Sequence, residues 1–389
     1  MTGGATWLVP ALEKVVFERP AAEVVAEETA GRDHTRVLVL TSRSVRSTAL
    51  VTGIVAALGE RCAGVYSDVP VQASAAQVLA AAEHARAVRA DLIVAVGGGS
   101  VIDAAKVVVI CLGADLTEPA GLDPYRGLGS VSDASRRPAD EASWVRFIAV
   151  PTTLSAAEFT WWGGVMDPER GTKGPVAHPL AIPRMIVLDP EATRTAPLHL
   201  VTSTGVKAVD HAVERLCAPV LNPLTEAHSV HSLRLLARAL PAVASDEDDL
   251  AARAECQAGM AIGMIGPAAG SRVGASHAIG HALGAHSGVP HGITSCVMLP
   301  AVLRWNRDAC PQRQQLVSSA MGRPGVDAAK VVEDLVVSVG LPVRLQDIGI
   351  ERSELATIAR KTMGDMAIGG NPRPVRTVAD VLEILESAW

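Results

Sequence analysis

In the first half of the chain, short aliphatic and β-branched runs alternate with Ala-rich stretches whose apolar residues recur every three or four positions. Arg36–Thr41 (RVLVLT) reads as a buried strand, and Gly64–Ser67, Asp91–Val96, Phe147–Pro151 and Arg184–Leu188 as further strands. Between them Ser44–Leu58, Ser74–Arg89 and Val101–Leu112 have helical spacing, with Ser74 as an N-cap. Strands separated by helices of this length predict βαβ units, hence a parallel sheet with helices on both faces. Gly113–Ser143, rich in Gly, Pro, Ser and Asp, reads as a surface excursion.

Beyond about Pro197 the β signals fade. Ser203–Cys217, Thr225–Ala242, Asp249–Ile265, His277–Ala285, Ala328–Val339 and Val378–Ser387 keep a 3.6-residue spacing. They predict a region of six or more helices. The expected organisation is an α/β dinucleotide-binding domain over residues 1–192, then an all-α domain over 193–389, with a cleft between them. No internal repeat is visible.

Composition narrows the function classes. The chain has 389 residues, 49% hydrophobic and 20% charged, with a formal net charge of −6. It is too apolar for extended disorder and carries no basic stripe for nucleic acid. Aromatic residues are only 3%, which disfavours base-stacking platforms. No apolar run approaches the ~20 residues of a membrane helix. The opening MTGGATWLVPALEKVV lacks a basic start and an apolar core, so a soluble, cytoplasmic protein is expected. Six scattered cysteines without a CxxC predict reduced, buried thiols.

Two segments carry candidate chemistry. The first is Gly97-Gly98-Gly99-Ser100-Val101-Ile102-Asp103-Ala104-Ala105-Lys106, between a strand and a helix. Glycines there let the backbone approach a pyrophosphate, whose charge the helix N-terminus stabilises. Ser100 with Asp103 resembles a capping box. The segment is neither GxGxxG nor a Walker loop, and a plain glycine turn before a capped helix remains the alternative. The second gathers four of eleven histidines: His277, His281, His286 and His291. His277 and His281 share a helix face, as do Lys207 and His211 on an earlier helix, and Gly288-Val289-Pro290 can return His291 toward the first pair. Such imidazoles bind a divalent metal, shuttle protons, or serve as satisfied core residues.

GGGSVIDAAK, the strand-end PTTLSAAEFT (151–160) and HAIGHALGAHSGVPHG (277–292), in this order, together resemble the iron-containing alcohol dehydrogenase family. The likeness runs from about Arg36 to Asn306. PTTLSAAEFT and HGITSCVMLPAVLRWN look closest to the maleylacetate reductase branch. The resemblance implies a dinucleotide domain followed by a helical domain, catalysis in the cleft, and a dimer or larger assembly, a homodimer being the expectation. Gly97, Gly98, Gly99 and Ser100 would face the pyrophosphate, and Asp103 the nicotinamide half. Thr152 and Thr153 would line the nucleotide site, and Lys173 would reach the nicotinamide ribose unless it is a solvated loop lysine. NAD-preferring members carry an acid where this chain has Ser42. Serine does not repel a 2′-phosphate and Arg43 can pair with one, so NADPH is expected to be accepted, alongside NADH.

The chain departs from the family at one position. Metal-dependent members hold iron or zinc with an Asp and a His four apart plus two later histidines. His211, His277 and His291 match the histidines, but the Asp position is Lys207. The maleylacetate reductase branch usually places a neutral residue there. A protonated amine is no ligand and repels a divalent ion. The expectation is that Lys207 replaces the metal, polarising a ketone oxygen or holding a substrate carboxylate, with His281 as general acid. The competing arrangement keeps a metal on His211, His277 and His291. An electropositive site suits an anionic oxo-acid. Arg184 and Arg304 are candidates for carboxylate contacts, with a surface position the expectation for both. Three functions stay open: a maleylacetate-like NAD(P)H reductase, a metal-dependent dehydrogenase of a small alcohol, and a non-redox lyase or cyclase on the same scaffold.

Overall fold

The computed structural model describes residues 11–127, 143–167, 172–265 and 273–389. They fall into two compact units, one ending at Ala196 and the other running from Pro197 to Trp389.

The first unit is built on a six-stranded sheet. Its strands are β1 (Lys14–Phe17), β2 (Val37–Leu40), β3 (Cys62–Tyr66), β4 (Leu92–Gly97), β5 (Arg146–Pro151) and β8 (Met185–Leu188), in the order β1-β8-β5-β4-β2-β3. Every pairing is parallel. The crossovers include α1 (Ala21–Gly31), α2 (Ala49–Leu58), α3 (Ala75–Ala87) and α4 (Gly99–Gly113). A parallel sheet is covered on both faces, which explains the unbroken VLVL of β2 and LIVAV of β4, buried throughout. From β2 the chain moves outward to β3, then returns to β4 and continues the other way to β5. The carboxyl ends of β2 and β4 therefore flank the topological switch point, where open α/β sheets bind ligands.

Three expectations are adjusted here. Ser74 caps α3 through a full capping box with Gln77, but α2 starts at Ala49, not Ser44. Ser42–Thr48 instead folds into turns, with Arg46 N–H donating to Ser42 O (3.0 Å) and the Thr48 hydroxyl to Val45 O (2.8 Å). The antiparallel hairpin β6 (Trp162–Asp167) and β7 (Thr172–Ala177) lies outside the main sheet and was not foreseen. It packs so closely on α4 that a Cβ at Gly163 would lie 2.3 Å from Asp103 O. Much of the Gly113–Ser143 excursion lies outside the described residues, although Pro119–Tyr125 forms a 3₁₀ turn.

The second unit is helical: α5 (Leu198–Cys217), α6 (Pro223–Ser245), α7 (Leu250–Ile265), α8 (Ala275–Ser287), α9 (His291–Asn306), α10 (Pro311–Ala320), α11 (Ala328–Ser338), α12 (Leu355–Thr362) and α13 (Val378–Ala388). The α/β-then-helical architecture is thus as the sequence led one to expect. Helix α5 is buried along nearly its whole length and packs on α6 and α9. Among the described residues no helix is long and apolar enough to cross a membrane. All six cysteines are free thiols, five of them buried.

Candidate functional site

The glycine loop sits at the carboxyl end of β4. Gly97 has φ 157°, and a Cβ there would meet Val101 Cγ2 at 2.7 Å. One at Gly99 would meet Ser155 Oγ at 2.8 Å, so the PTTLSAAEFT segment itself requires the glycine. Gly98 is the N-cap of α4 and has no side chain to satisfy the first-turn N–H groups. That leaves donors and the positive end of the helix dipole for an anion. Thr152 is buried and its N–H donates to Gly97 O (3.0 Å). Thr153 lies against Gly98, and its hydroxyl is buried without a hydrogen-bond partner among the described residues.

The Ser100–Asp103 capping box does not form. Helix α4 begins at Gly99, so Ser100 is already helical and its hydroxyl donates to Val71 O instead. Asp103 anchors the hairpin: one oxygen accepts from Lys106 Nζ (3.2 Å), the other from Gly164 N–H (3.2 Å). Lys106 is fully buried and also donates to Thr160 Oγ1 and Trp162 O, each at 2.7 Å. Lys173 lies on β7 opposite Met166; its side chain and residues 168–171 lie outside the described residues. At the end of β2, Ser42 Oγ is 3.0 Å from Ser44 Oγ. Arg43 Nε donates to Asp68 Oδ1 at 2.7 Å, both side chains being mostly solvent-exposed. Asp68, on the loop after β3, is an acid that the sequence did not place here.

In the helical unit three helices converge. Helix α5 supplies Lys207, Asp210, His211 and Glu214; α8 supplies His277 and His281; α9 begins with His291. Gly288, left-handed at φ 69°, ends α8 and turns the chain into α9. The two helices cross at Gly280, where a Cβ would lie 2.8 Å from Thr294 Oγ1 and 3.2 Å from the His291 ring. Ring centres stand 4.6 Å apart for His211–His277, 5.3 Å for His277–His291 and 5.0 Å for His281–His291. The five residues expected to form the site are therefore gathered on neighbouring helices, whereas His286 pairs with Glu354 (3.1 Å) and Lys361 (3.2 Å).

Beneath the imidazoles lies an acid pair that the sequence reading missed. Glu214 accepts from Gly274 N–H, Ser276 N–H and His277 Nδ1, each at 2.7 Å. Asp210 accepts from Ser276 Oγ at 2.8 Å and is wholly buried. Burial pushes both carboxyls up to about 7. Glu214, with three donors, is the better holder of the single charge the pair carries near neutrality; Asp210 is the better holder of the proton. Burial also drives His277 down to about 3 and His211 well below its usual range, with the charges of Lys207 and Arg215 acting the same way. Both rings are neutral. Since His277 Nδ1 donates to Glu214, its Nε2 keeps a lone pair, buried and without a hydrogen-bond partner among the described residues, as is His211 Nδ1. A spacing signal for Glu214 existed: it lies seven residues after Lys207, on the same face of α5.

Asp210, Glu214 and His277 offer ligand-type atoms within 4.8 Å of one another. Those atoms are largely committed to hydrogen bonds, so this is a support for His277, not an ion cage. The open nitrogens of His211 and His277 would suit a metal, but the position where the resemblance implies a carboxylate ligand is Lys207. Three neutral imidazoles offset none of a divalent charge, and an ammonium one turn from His211 adds repulsion of several kcal/mol at an effective dielectric of about 20. A cation on this helix turn disfavours a divalent ion beside the imidazoles. Of the two arginines considered for substrate, Arg184 is buried against Glu13 (3.0 Å), not at the surface, and Arg304 pairs with Glu333 (2.6 Å).

A dinucleotide-type sheet with an anion-ready glycine loop, followed by a helical unit bearing a histidine cluster, defines a nicotinamide-dependent oxidoreductase. Residues 12–190 match the family model "Iron-containing alcohol dehydrogenase", and residues 201–389 match "Fe-containing alcohol dehydrogenase family, C-terminal". Maleylacetate reductase 2 of Cupriavidus pinatubonensis is 30% identical over 81% of this chain and 78% of its own. Lactaldehyde reductase of Escherichia coli is 28% identical over 97% of this chain and 98% of its own. The crystal structure of a 1,3-propanediol oxidoreductase superposes with a TM-score of 0.88 at 25% identity, covering 100% of both chains. The chain belongs to the iron-containing alcohol dehydrogenase family, near its maleylacetate reductase branch, and is an NAD(P)-dependent oxidoreductase.

Proposed function

We propose that this enzyme is an NAD(P)H-dependent reductase of an anionic oxo-acid, maleylacetate-like in substrate class, that works without a bound metal ion. The observation that carries the reading is Lys207. It stands on α5 where the family has a carboxylate ligand, and its charge is felt by both His211 and His277. A fixed positive charge beside neutral imidazoles polarises a carbonyl oxygen or holds a substrate carboxylate. Hydride passes from the nicotinamide to the carbonyl carbon, or to the C=C of an enone-type oxo-acid, and a histidine supplies the proton. His281 is the best placed for that step, being half-exposed and in contact with solvent. A sulfoacetaldehyde reductase of the same fold is known in complex with NAD+, which supports the nicotinamide reading of the glycine loop. Ser42 and Arg43 support use of NADPH as well as NADH.

The test follows nicotinamide absorbance with maleylacetate, other oxo-acids and simple aldehydes, on protein stripped of metals by chelation. Turnover of an oxo-acid by the stripped enzyme is expected, with Lys207→Ala losing about 100-fold or more in kcat/KM, the scale of a lost oxyanion donor. One equivalent of tightly held zinc or iron needed for turnover overturns the metal-free reading. Efficient turnover of small neutral aldehydes alone would move the substrate class to that of the lactaldehyde reductases.

A further inference from the structure

The proton donor in this cluster needs a group to orient it, and the last third of the chain supplies one. His281 lies on α8 one turn after His277, its ring 5.0 Å from His291 and 6.3 Å from His277. Its Nδ1 stands 2.8 Å from Asp365 Oδ2. The other oxygen of Asp365 accepts the Ala367 N–H at 2.8 Å, as N-cap of the 3₁₀ turn Met366–Gly370. Both carboxylate oxygens are thereby fixed, so the carboxylate cannot swing away without uncapping that turn.

We infer that Asp365 is a positioning residue for proton transfer, holding His281 in the Nδ1–H tautomer so that Nε2 is the atom that delivers the proton. The inference rests on the reductase reading above and adds to it a residue 84 positions distant from its partner. The balance is simple: the carbonyl carbon gains hydride from the nicotinamide, which is oxidised. The oxygen gains the proton from Nε2, and half-exposed His281 recovers it from solvent.

Three other rings, His211, His277 and His286, do not fill this role. His211 and His277 are buried, and His277 already commits its Nδ1 to Glu214 at 2.7 Å. His286 also meets an acid, Glu354, but its second nitrogen faces Lys361, which leaves no atom for substrate. His281 combines a carboxylate on one nitrogen with a half-exposed ring inside the cluster. Burial would raise Asp365, yet the hydrogen bond from His281 and that ring's charge hold it below the usual carboxylate range. It is therefore ionised and able to stabilise an imidazolium.

The experiment uses the full chain with Asp365→Asn, Asp365→Ala and Asp365→Glu. Steady-state kinetics with the oxo-acid, cofactor titration by nicotinamide fluorescence and ¹⁵N spectra of the histidine rings are recorded, with His281→Gln assigning the His281 signals. Asp365→Asn is expected to lower kcat by about 10- to 100-fold, the scale of a weakened general acid. Cofactor dissociation and KM should stay within a few-fold, and the His281 signals should shift from Nδ1–H toward a mixture of tautomers. Asp365→Glu should recover part of the loss. Unchanged kcat with unchanged ring signals in Asp365→Asn overturns the inference, as does an equal loss of cofactor binding, which would mark a structural defect. If the parent reduces no oxo-acid, the reductase reading fails by itself, and the ring spectra still decide whether Asp365 sets the tautomer.

Discussion

Asp210 stands three residues after Lys207 and directly before His211, wholly buried under the imidazoles. Burial raises its carboxyl from an ordinary 3.8 to about 7. The folded chain therefore prefers it protonated, a preference that stabilises fully below its unfolded pKa and is lost as pH rises through about 7. His277, lowered to about 3, has the opposite sign: its contribution is present above its ordinary 6.5 and is lost as pH falls toward 3. Asp210→Asn keeps the shape and removes only the titration. Near pH 5 it should already be modestly the more stable, because Asp210 is ionised in the unfolded chain and protonated in the folded one. Near pH 8 that advantage should be larger by on the order of 2 kcal/mol. Thermal unfolding at the two pH values checks this, and equal midpoints at pH 8 would show that the acid bears no burial cost. None of this is visible in the sequence, where Asp210 is one acid among 41.

At the scale of elements, the glycine loop, the α3 cap and the strands of the sheet were legible because each has a local signal: a glycine run, Ser with Gln three residues on, an unbroken aliphatic run. What escaped was written in contacts between elements. The β6–β7 hairpin lacks alternation because it rests on α4 through Gly163 and buried Lys106. Helix α9 carries Pro300 inside it and reads poorly as a helix. The acid beside the cofactor loop was hidden in the same way. Ser42 after β2 suggested a site without a repelling charge, but the loop after β3 brings Asp68 to Arg43. An exposed pair of this kind is weak, so its consequence is selective, not structural. A 2′-phosphate must compete with Asp68 for Arg43 and meets the carboxylate's repulsion. Asp68→Ala is expected to raise the ratio of kcat/KM for NADPH over NADH by several-fold, within the ~1.4 kcal/mol that a tenfold change represents. An unchanged ratio would remove the two loops from cofactor choice.

For the whole molecule, the question that organises the chemistry is whether folding and an ion are coupled. The three histidines, their spacing and the Lys207 departure could be read from the chain, since all sit on helices with a regular face. Of their supports, Glu214 had only its spacing from Lys207 on α5 to mark it, and Asp365 had no signal, because it reaches the cluster from a distant turn. An ion that binds only the native state stabilises it by RT ln(1 + [L]/Kd), about 2.7 kcal/mol at a hundredfold excess over Kd. In a chain of this size that is a rise of several degrees in unfolding midpoint. Lys207 opposes such binding, so the chelated parent should melt unchanged when zinc or ferrous ion is added at modest excess. Lys207→Asp restores the carboxylate of the family's ligand set beside His211, His277 and His291. It should therefore gain a zinc-dependent rise of several degrees and tightly held metal, while losing the oxo-acid reduction proposed for the parent. A parent that already shows that rise would mean the lysine swings clear of the three imidazoles and leaves them an ion to hold.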